Sequence, residues 1–445
     1  MQAFPISMNQ PAQHSGPLPE ACDVVVIGGG IIGVMTAWFL ADAGKKVVLC
    51  EKGRIAGEQS GRNWGWIRQQ GRDADELPIM VESLQIWHKL VAELGDRLGF
   101  RQGGVVYMAN TAKDMAGFEN WMPHARAHGL DTRLLTRAET GALLGADSWP
   151  GAMLTPSDAR AEPMVAVPVI ARALEAKGCV IVEDCAVRGL DTTNGRVSGV
   201  VTEQGEVACG AVVMAGGAWS SLFLRAQGVV LPQLSVLASV AATEPMPEIF
   251  PGNAADNRFA FRRRVDGGYT IAPGSTHDFY IGPDAFRHAA KFIPVLRKDF
   301  RSTHFRAIAP KGFPDAWATP RAWDVTKPSP FEAMRVLNPA PNMKTIGDVQ
   351  DAFAAAYPKL GRPRLRTVWG GMIDTMPDVV PVLDQAPLGN LFIATGMSGH
   401  GFGIGPGIGR VMADMVLGRA SGHDLTRFRL SRFTDGSKIR VAPAL

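Results

Sequence analysis

The sequence predicts an α/β chain, in which a discontinuous, doubly wound nucleotide-binding domain is joined to an α+β domain with a mixed, largely antiparallel sheet. Three observations predict it. First, the β-favouring run Val24–Ile27 is followed directly by glycines at 28, 30 and 33, then by a helical run to Ala43 and a second strand closed by Glu51. Second, a buried strand at Ala211–Ala215 runs into another glycine pair, Gly216 and Gly217. Third, between Val229 and about Arg364 prolines multiply and short strand-like runs dominate.

The first stretch has the spacing a dinucleotide requires. Gly28 makes the tight turn, Gly30 lets the backbone approach a pyrophosphate, and Gly33 lets helix and strand pack closely. The helix N-terminus, with Ile31 and Ile32, faces the phosphates. Glu51, at the end of the second strand, is placed to accept hydrogen bonds from a ribose diol. The second glycine-rich strand end, with Ala215, Gly216, Gly217 and Trp219, is expected beside the first in a Rossmann-like sheet.

The 445 residues carry 46% hydrophobic and 20% charged side chains, enough for two or three lobes with ample core. A net charge of +4 argues for neither nucleic acid nor an anionic membrane as partner. Residues 1–20 are rich in Pro, Gln and Ser, lack the apolar centre of a secretory signal, and read as a loose tail. The five cysteines fall in or beside predicted strands without a C-x-x-C pair, which suits buried, reduced thiols in a cytoplasmic protein. The sequence has no fixed-period repeat, zinc-ligand spacing, Walker-type loop or G-x-S-x-G elbow.

After Glu51, residues 52–72 read as a long polar and aromatic loop, with donors suited to a diphosphate and a planar heteroaromatic ring. Glu76–Leu94 is an amphipathic helix whose stripe of Leu77, Met80, Leu84, Trp87, Leu90, Val91 and Leu94 reads as core. A strand at 104–108, a helix at 111–128 and a short helix capped by Thr136 follow. Pro163 opens a helix that Gly178 stops, and strands follow at Val180–Val182, Cys185–Leu190 and Val197–Thr202, with Asn194-Gly195 as a hairpin turn. Strands at 260–261 and 269–272 flank a turn at Asp266–Gly268, and another runs over 279–281. Residues 284–300 read as helix interrupted by Pro294, a basic and apolar segment suited to core packing, a lid or a peripheral membrane contact. Strands at 379–383 and 391–394 lead to a second glycine-rich loop, 395–407, and a helix at Ile408–Leu417. So many glycines imply close backbone approach by a bulky partner.

These pieces in this order resemble the D-amino-acid oxidase superfamily of flavoenzymes. Glu51–Gly53, Ile55–Ser60, Ala215–Ser220, Ser329–Glu332 and the 291–296 segment look most like the bacterial L-amino-acid deaminases. The resemblance covers about residues 22–430 and implies a non-covalent FAD. It places the FAD-binding domain at 21–72, 150–228 and 365–432. The substrate domain falls at 73–149 and 229–364, with an inserted helical module at about 284–310. It implies that Lys52, Gln59, Ser60, Arg62, Asn63 and Trp64 serve the diphosphate and flavin side and that Val187 pairs with the adenine. Gly371, Gly399, His400, Gly401, Phe402 and Gly403 would lie at the flavin.

Three departures from the family pattern stand out. Gly371 occupies the approximate place of a flavin-tethering cysteine, Tyr280 that of an oxygen-activating lysine, and Gly274 that of a carboxylate-binding arginine. The reaction implied is oxidation of the C–N bond of an amino acid or amine, by hydride transfer to flavin N5 and hydrolysis of the imine. Oxygen or a quinone-type carrier would take the electrons. Candidates for the substrate carboxylate are Arg68, Arg72 and Arg262, by the fit of the guanidinium fork. Tyr280 is read as a pocket wall, a substrate contact or a packed strand tyrosine, His277 as a polar wall or an exposed turn residue, and His400 as a cofactor contact. Trp66, Trp323 and Trp369 are expected as an apolar cage or as core. The alternatives are 2-hydroxy acid oxidation and a flavin subunit of a heteromeric amine or opine oxidase.

Overall fold

A computed structural model of the chain describes residues 2–443. Two large sheets carry the architecture, and a small three-stranded one joins the loops between them. The first sheet has eight strands. At its centre β1 (Ala21–Ile27) pairs in parallel with β2 (Val47–Cys50) on one side and with strand Gly205–Met214 on the other. Val180–Val182 extends the parallel run beyond β2, and Leu391–Thr395 extends it beyond Met214. Between β1 and β2 lies α1 (Ile31–Asp42), almost wholly buried, as expected of a crossover helix covering a parallel sheet. The nucleotide-binding part is therefore doubly wound.

The register puts three strand ends side by side. Ile27 stands opposite Met214, and Met214 opposite Ile393, so the turns that follow β1, Met214 and Thr395 open into one crevice. This is the switch point at which such sheets bind ligands. The Asn194-Gly195 turn has both residues at positive φ, 52° and 72°, as a two-residue hairpin demands.

The second sheet has ten strands, mixed and largely antiparallel, and is organised on the long strand Leu234–Thr243. Its main partner is Leu365–Thr375, antiparallel from Leu234↔Thr375 to Thr243↔Leu365. That strand and Gly151–Thr155 fall within the segments expected to belong to the nucleotide part, yet both are hydrogen-bonded into the second sheet. Gly151–Thr155 is buried throughout and Leu365–Thr375 through most of its middle, so their apolar pattern alone does not report which sheet they join.

Several local expectations change. The first twenty residues, expected as a loose tail, lie against the body among the described residues. Phe4 and Ile6 are buried, and Phe4 packs on Trp369 with ring centroids 5.5 Å apart. Gln2 bridges to Thr367 and Ser15 to Val182. The segment at 284–300 forms two helices, Pro283–Arg287 and Ala289–Asp299, with the break at His288 and not at Pro294.

The glycine-rich stretch after His400 is not a loop. It is the start of helix Gly401–Val416. A Cβ at Gly405 would meet Ile31 at 2.7 Å, at Gly407 the Ile79 carbonyl at 2.6 Å, and at Gly409 the Met35 backbone at 2.6 Å. The bulky partner these glycines admit is mostly protein: α1 and the helix Leu77–Leu94. No helix among the described residues is long and apolar enough to cross a membrane.

Candidate active site

One cavity of about 420 Å³ runs along the crevice between the two sheets. Its wall takes in Gly28, Gly30, Ile31, Ile32, Glu51 and Lys52 from the first nucleotide unit and Gln59, Ser60, Arg62, Asn63 and Trp64 from the following segment. Val187, Ala215, Gly216, Gly217, Trp219 and Gly371 continue it, and Gly399, His400, Gly401 and Phe402 close it. Residues separated by more than three hundred positions thus share one surface.

The backbone explains the glycines. Gly28 sits at φ 112°, with the Ala215 carbonyl 2.5 Å from where a Cβ would stand. Gly33 is off the cavity; its missing side chain leaves room for the Gly28 carbonyl, 2.0 Å from an ideal Cβ, so it serves packing alone. Gly403 is also off the cavity, against Trp66 and Ile67, which corrects its expected cofactor contact. Ser60 Oγ accepts from Ile31 N at 2.9 Å and so fixes the segment beside the α1 N-terminus.

Glu51 accepts from Gly29 N and Gly53 N, each at 2.7 Å. Burial pushes its carboxyl up to about 7, against the pull of Lys52 and the two N–H donors. Arg62 donates to Gly57 O at 2.8 Å, Asn338 Oδ1 at 2.7 Å and Gly370 O at 3.0 Å. Its Nη2 is buried without a partner among the described residues. Burial lowers its guanidinium to about 10, which leaves it cationic at neutral pH.

At the other end, Arg68 and Arg72 line the cavity with Trp64, Trp66, Tyr107 and His400. Arg72 is committed: Nε to Arg68 O at 3.2 Å, Nη2 to His400 O at 2.9 Å, and Nη1 to Glu76 at 3.4 Å. Burial pushes Glu76 up to about 7 and lowers Arg72 to about 10. Arg68 is held through Nη1 by Gln70 O and stands 5.6 Å from the Tyr107 ring centroid. Its Nε and Nη2 have no protein acceptor among the described hydrogen bonds. Burial, with Arg72 and Arg68 nearby, keeps His400 well below the usual imidazole range and therefore neutral. His400 Nδ1 lies 4.0 Å from Glu76, beyond hydrogen-bond reach.

Four expected substrate contacts are corrected by this geometry. Arg262 is buried and gripped by Glu162, with Nη1 at 2.8 Å and Nη2 at 3.0 Å. His277 bonds Thr303 Oγ1 at 3.0 Å on a sheet edge. Tyr280 packs against Phe313 with ring centroids 5.5 Å apart, so it carries no argument about the electron acceptor. Trp369 donates to Arg62 O at 2.9 Å in the core. None of the four lines the cavity. Trp323 is likewise elsewhere, bonded to Arg188 O at 2.8 Å. Gly274 does reach the cavity, but an ideal Cβ there would stand 1.8 Å from Asp256 O, so no side chain can be carried at that position.

Sequence reasoning missed Tyr107, which shows only as one residue of a strand, and Asp374, whose buried Oδ1 has no partner among the described residues. It also missed Glu58, although that residue stands within the Ile55–Ser60 stretch that drew attention.

The family model described as "FAD dependent oxidoreductase" (DAO) matches residues 23–415. The chain belongs to the DAO family. The L-amino acid deaminase from Proteus myxofaciens, solved in complex with anthranilate, is 31% identical with a TM-score of 0.89, covering 95% of each chain. The L-amino acid deaminase from Proteus vulgaris is 30% identical with a TM-score of 0.88, covering 94% of this chain and 99% of that one. Sarcosine oxidase subunit beta from Rhizobium meliloti is 25% identical over 94% of this chain and 89% of its own length.

As a DAO-family member this protein is an FAD-dependent oxidoreductase acting on amino acids or amines. Its residues fit the cofactor. Glu51 keeps acceptor capacity for a ribose diol, the orphaned Arg62 Nη2 offers a donor at the cavity wall, and the Gly28–Gly30 turn is open to a pyrophosphate.

Proposed function

We propose that this protein oxidises the C–N bond of an α-amino acid, with Arg68 as the anchor of its carboxylate and FAD held without a covalent tether. The observation that carries the reading is the division of labour between two neighbouring arginines. Arg72 has every nitrogen engaged by protein acceptors, while Arg68 keeps Nε and Nη2 free on the cavity wall. A guanidinium with two adjacent free donors matches a carboxylate bidentately. Gly274 supports the same assignment, since the Asp256 carbonyl leaves no room there for a second anchoring side chain. Gly371 lines the cavity at about the place where the family resemblance puts a tethering cysteine, and offers no side chain for a covalent bond.

Bound FAD supplies the hydride acceptor at N5, and the protein's contribution is to orient the α-carbon and exclude water. Trp64, Trp66 and Tyr107 form an aromatic wall beside Arg68, so the substrate side chain meets apolar surface there. The likeness to the Proteus L-amino acid deaminases favours a primary amine, whose imine hydrolyses to an oxo acid and ammonia. The likeness to a sarcosine oxidase subunit favours the second reading, an N-methyl amino acid.

The test is flavin bleaching without oxygen, with a panel of L- and D-amino acids, N-methyl amino acids and 2-hydroxy acids. Reduction by an α-amino acid and none by its decarboxylated amine supports the reading. Equal reduction by both removes the carboxylate anchor from it, and turnover of hydroxy acids alone replaces it.

A further inference from the structure

Beside the nucleotide end of the cavity, a segment of the second domain crosses over the first. It begins with the short helix Pro330–Ala333, capped reciprocally by Ser329 and Glu332, and runs on to Leu337. Two of its side chains, Phe331 and Val336, form part of the cavity wall. The backbone fit is close: an ideal Cβ at Gly53 would stand 2.3 Å from Arg335 O, and one at Gly57 would stand 3.2 Å from Val336 Cγ2.

Polar contacts fasten this segment to the nucleotide-binding part. At its start, Arg188 grips Glu332, with Nη2 2.5 Å and Nε 3.1 Å from Oε1. In the middle, Lys52 Nζ donates to Met334 O and Arg335 O, both at 2.8 Å. Arg335 returns bonds to Lys52 O at 2.9 Å and to Glu203 at 2.8 and 2.6 Å. At its end, Leu337 N donates to Glu58 Oε1 at 3.1 Å. The Glu58 carboxylate also receives Lys52 Nζ at 2.7 Å and Trp219 Nε1 at 3.0 and 3.1 Å. Lys52 Nζ sits 4.3 Å from the Trp219 ring centroid.

We propose that residues 329–337 are a strap over the FAD channel, and that Glu58 is the positioning residue whose carboxylate keeps the strap seated and so sets how firmly the protein retains FAD. Glu58, Lys52 and Trp219 all line the same cavity, so the group that organises the strap stands on the wall that FAD occupies. One carboxylate serves donors from three parts of the chain: the second nucleotide strand end, the second glycine-rich turn and the strap. Without its charge, Lys52 loses its counter-ion and the bond from Leu337 N at the end of the strap weakens with it. The inference rests on the FAD assignment and is independent of which substrate is oxidised.

The experiment compares FAD-loaded wild-type protein with Glu58→Gln and, separately, Arg335→Gln, which loosens the strap from outside the cavity. FAD release after dilution is followed by its fluorescence, and amide exchange is followed in 333–338. Each variant is expected to release FAD about tenfold faster, Glu58→Gln by weakening a charged acceptor that serves several donors and Arg335→Gln by breaking the ion pair with Glu203. Exchange in 333–338 should rise in parallel, while the melting temperature of the FAD-free protein moves less than that of the loaded protein. Unchanged release in both variants overturns the proposal. So does faster release with no change in exchange at 333–338, or an equal fall in both melting temperatures. Wild-type protein that neither carries nor takes up FAD would instead refute the cofactor assignment.

Discussion

Replacing Arg68 by Ala is the sharpest test of the active site. Arg68 makes one hydrogen bond through Nη1 to Gln70 O, rests on Tyr107, and keeps Nε and Nη2 for the cavity. The Tyr107 contact is internal to the protein and, with both side chains buried, contributes stability of up to about 2 kcal/mol. The two free donors have no such internal role, so their loss falls on the bound carboxylate. Charge-assisted hydrogen bonds of this kind contribute about 1.5–3 kcal/mol. At about 1.4 kcal/mol per factor of ten, half-saturation by a carboxylate substrate rises roughly 10- to 150-fold. The assay is the rate of flavin bleaching without oxygen, measured against the concentration of an amino acid and of its decarboxylated amine. The amino acid should lose its advantage while the amine changes little. Arg68→Lys should fall between wild type and Arg68→Ala, because a point charge replaces a fork. If the ratio of amino acid to amine is the same in wild type and Arg68→Ala, the anchor lies elsewhere and the reasoning from uncommitted donors fails.

Three further outcomes follow from the same geometry. Glu51 is raised from 4.5 to about 7 in the folded protein without FAD, so its protonated form favours folding. This contribution is full below about 4.5 and is lost as pH rises through about 7, whereas a ribose diol binds the ionised form. FAD affinity should therefore level off above pH 7 and weaken by up to about tenfold per pH unit below it; titrations between pH 5 and 8 check this, and Glu51→Gln should bind more weakly with a flat profile. Gly409→Ala places a Cβ 2.5 Å from Met35 Cβ and 2.6 Å from its carbonyl carbon, so overpacking of about 1–3 kcal/mol should outweigh the roughly 1 kcal/mol gain in helix propensity. Urea unfolding would show a lower midpoint, and a higher one would mean that the two helices can part without loss. Phe4→Ala removes a buried ring packed at a tilt on Trp369 and lying over Arg62, and should cost about 2 kcal/mol in the same measurement; a change below about 0.5 kcal/mol would show that the N-terminal segment is not docked.

The order strand, glycine turn, helix, strand, acid at 23–51 was determined by the sequence alone, because each step rests on neighbours in the chain. Gly28 must turn with positive φ, Gly33 must admit a carbonyl, and Glu51 must end the next strand, and these needs are met within thirty residues. The helix cap at Thr136 and the Asn194-Gly195 turn were legible for the same reason. The tertiary structure alone decided which polar side chains meet the cavity. Arg68 and Arg262 look alike in sequence, but Glu162, a hundred positions away, neutralises Arg262, and among the described residues no acidic side chain bonds Arg68. The glycines at 405, 407 and 409 imply close approach without naming the partner, which is α1 and the helix Leu77–Leu94. Phe4 finds Trp369 only once the strand Leu365–Thr375 is in place. Local backbone chemistry is written in adjacent residues, whereas the pairing of a charge or the covering of an apolar face depends on a partner brought near only when the whole chain has packed.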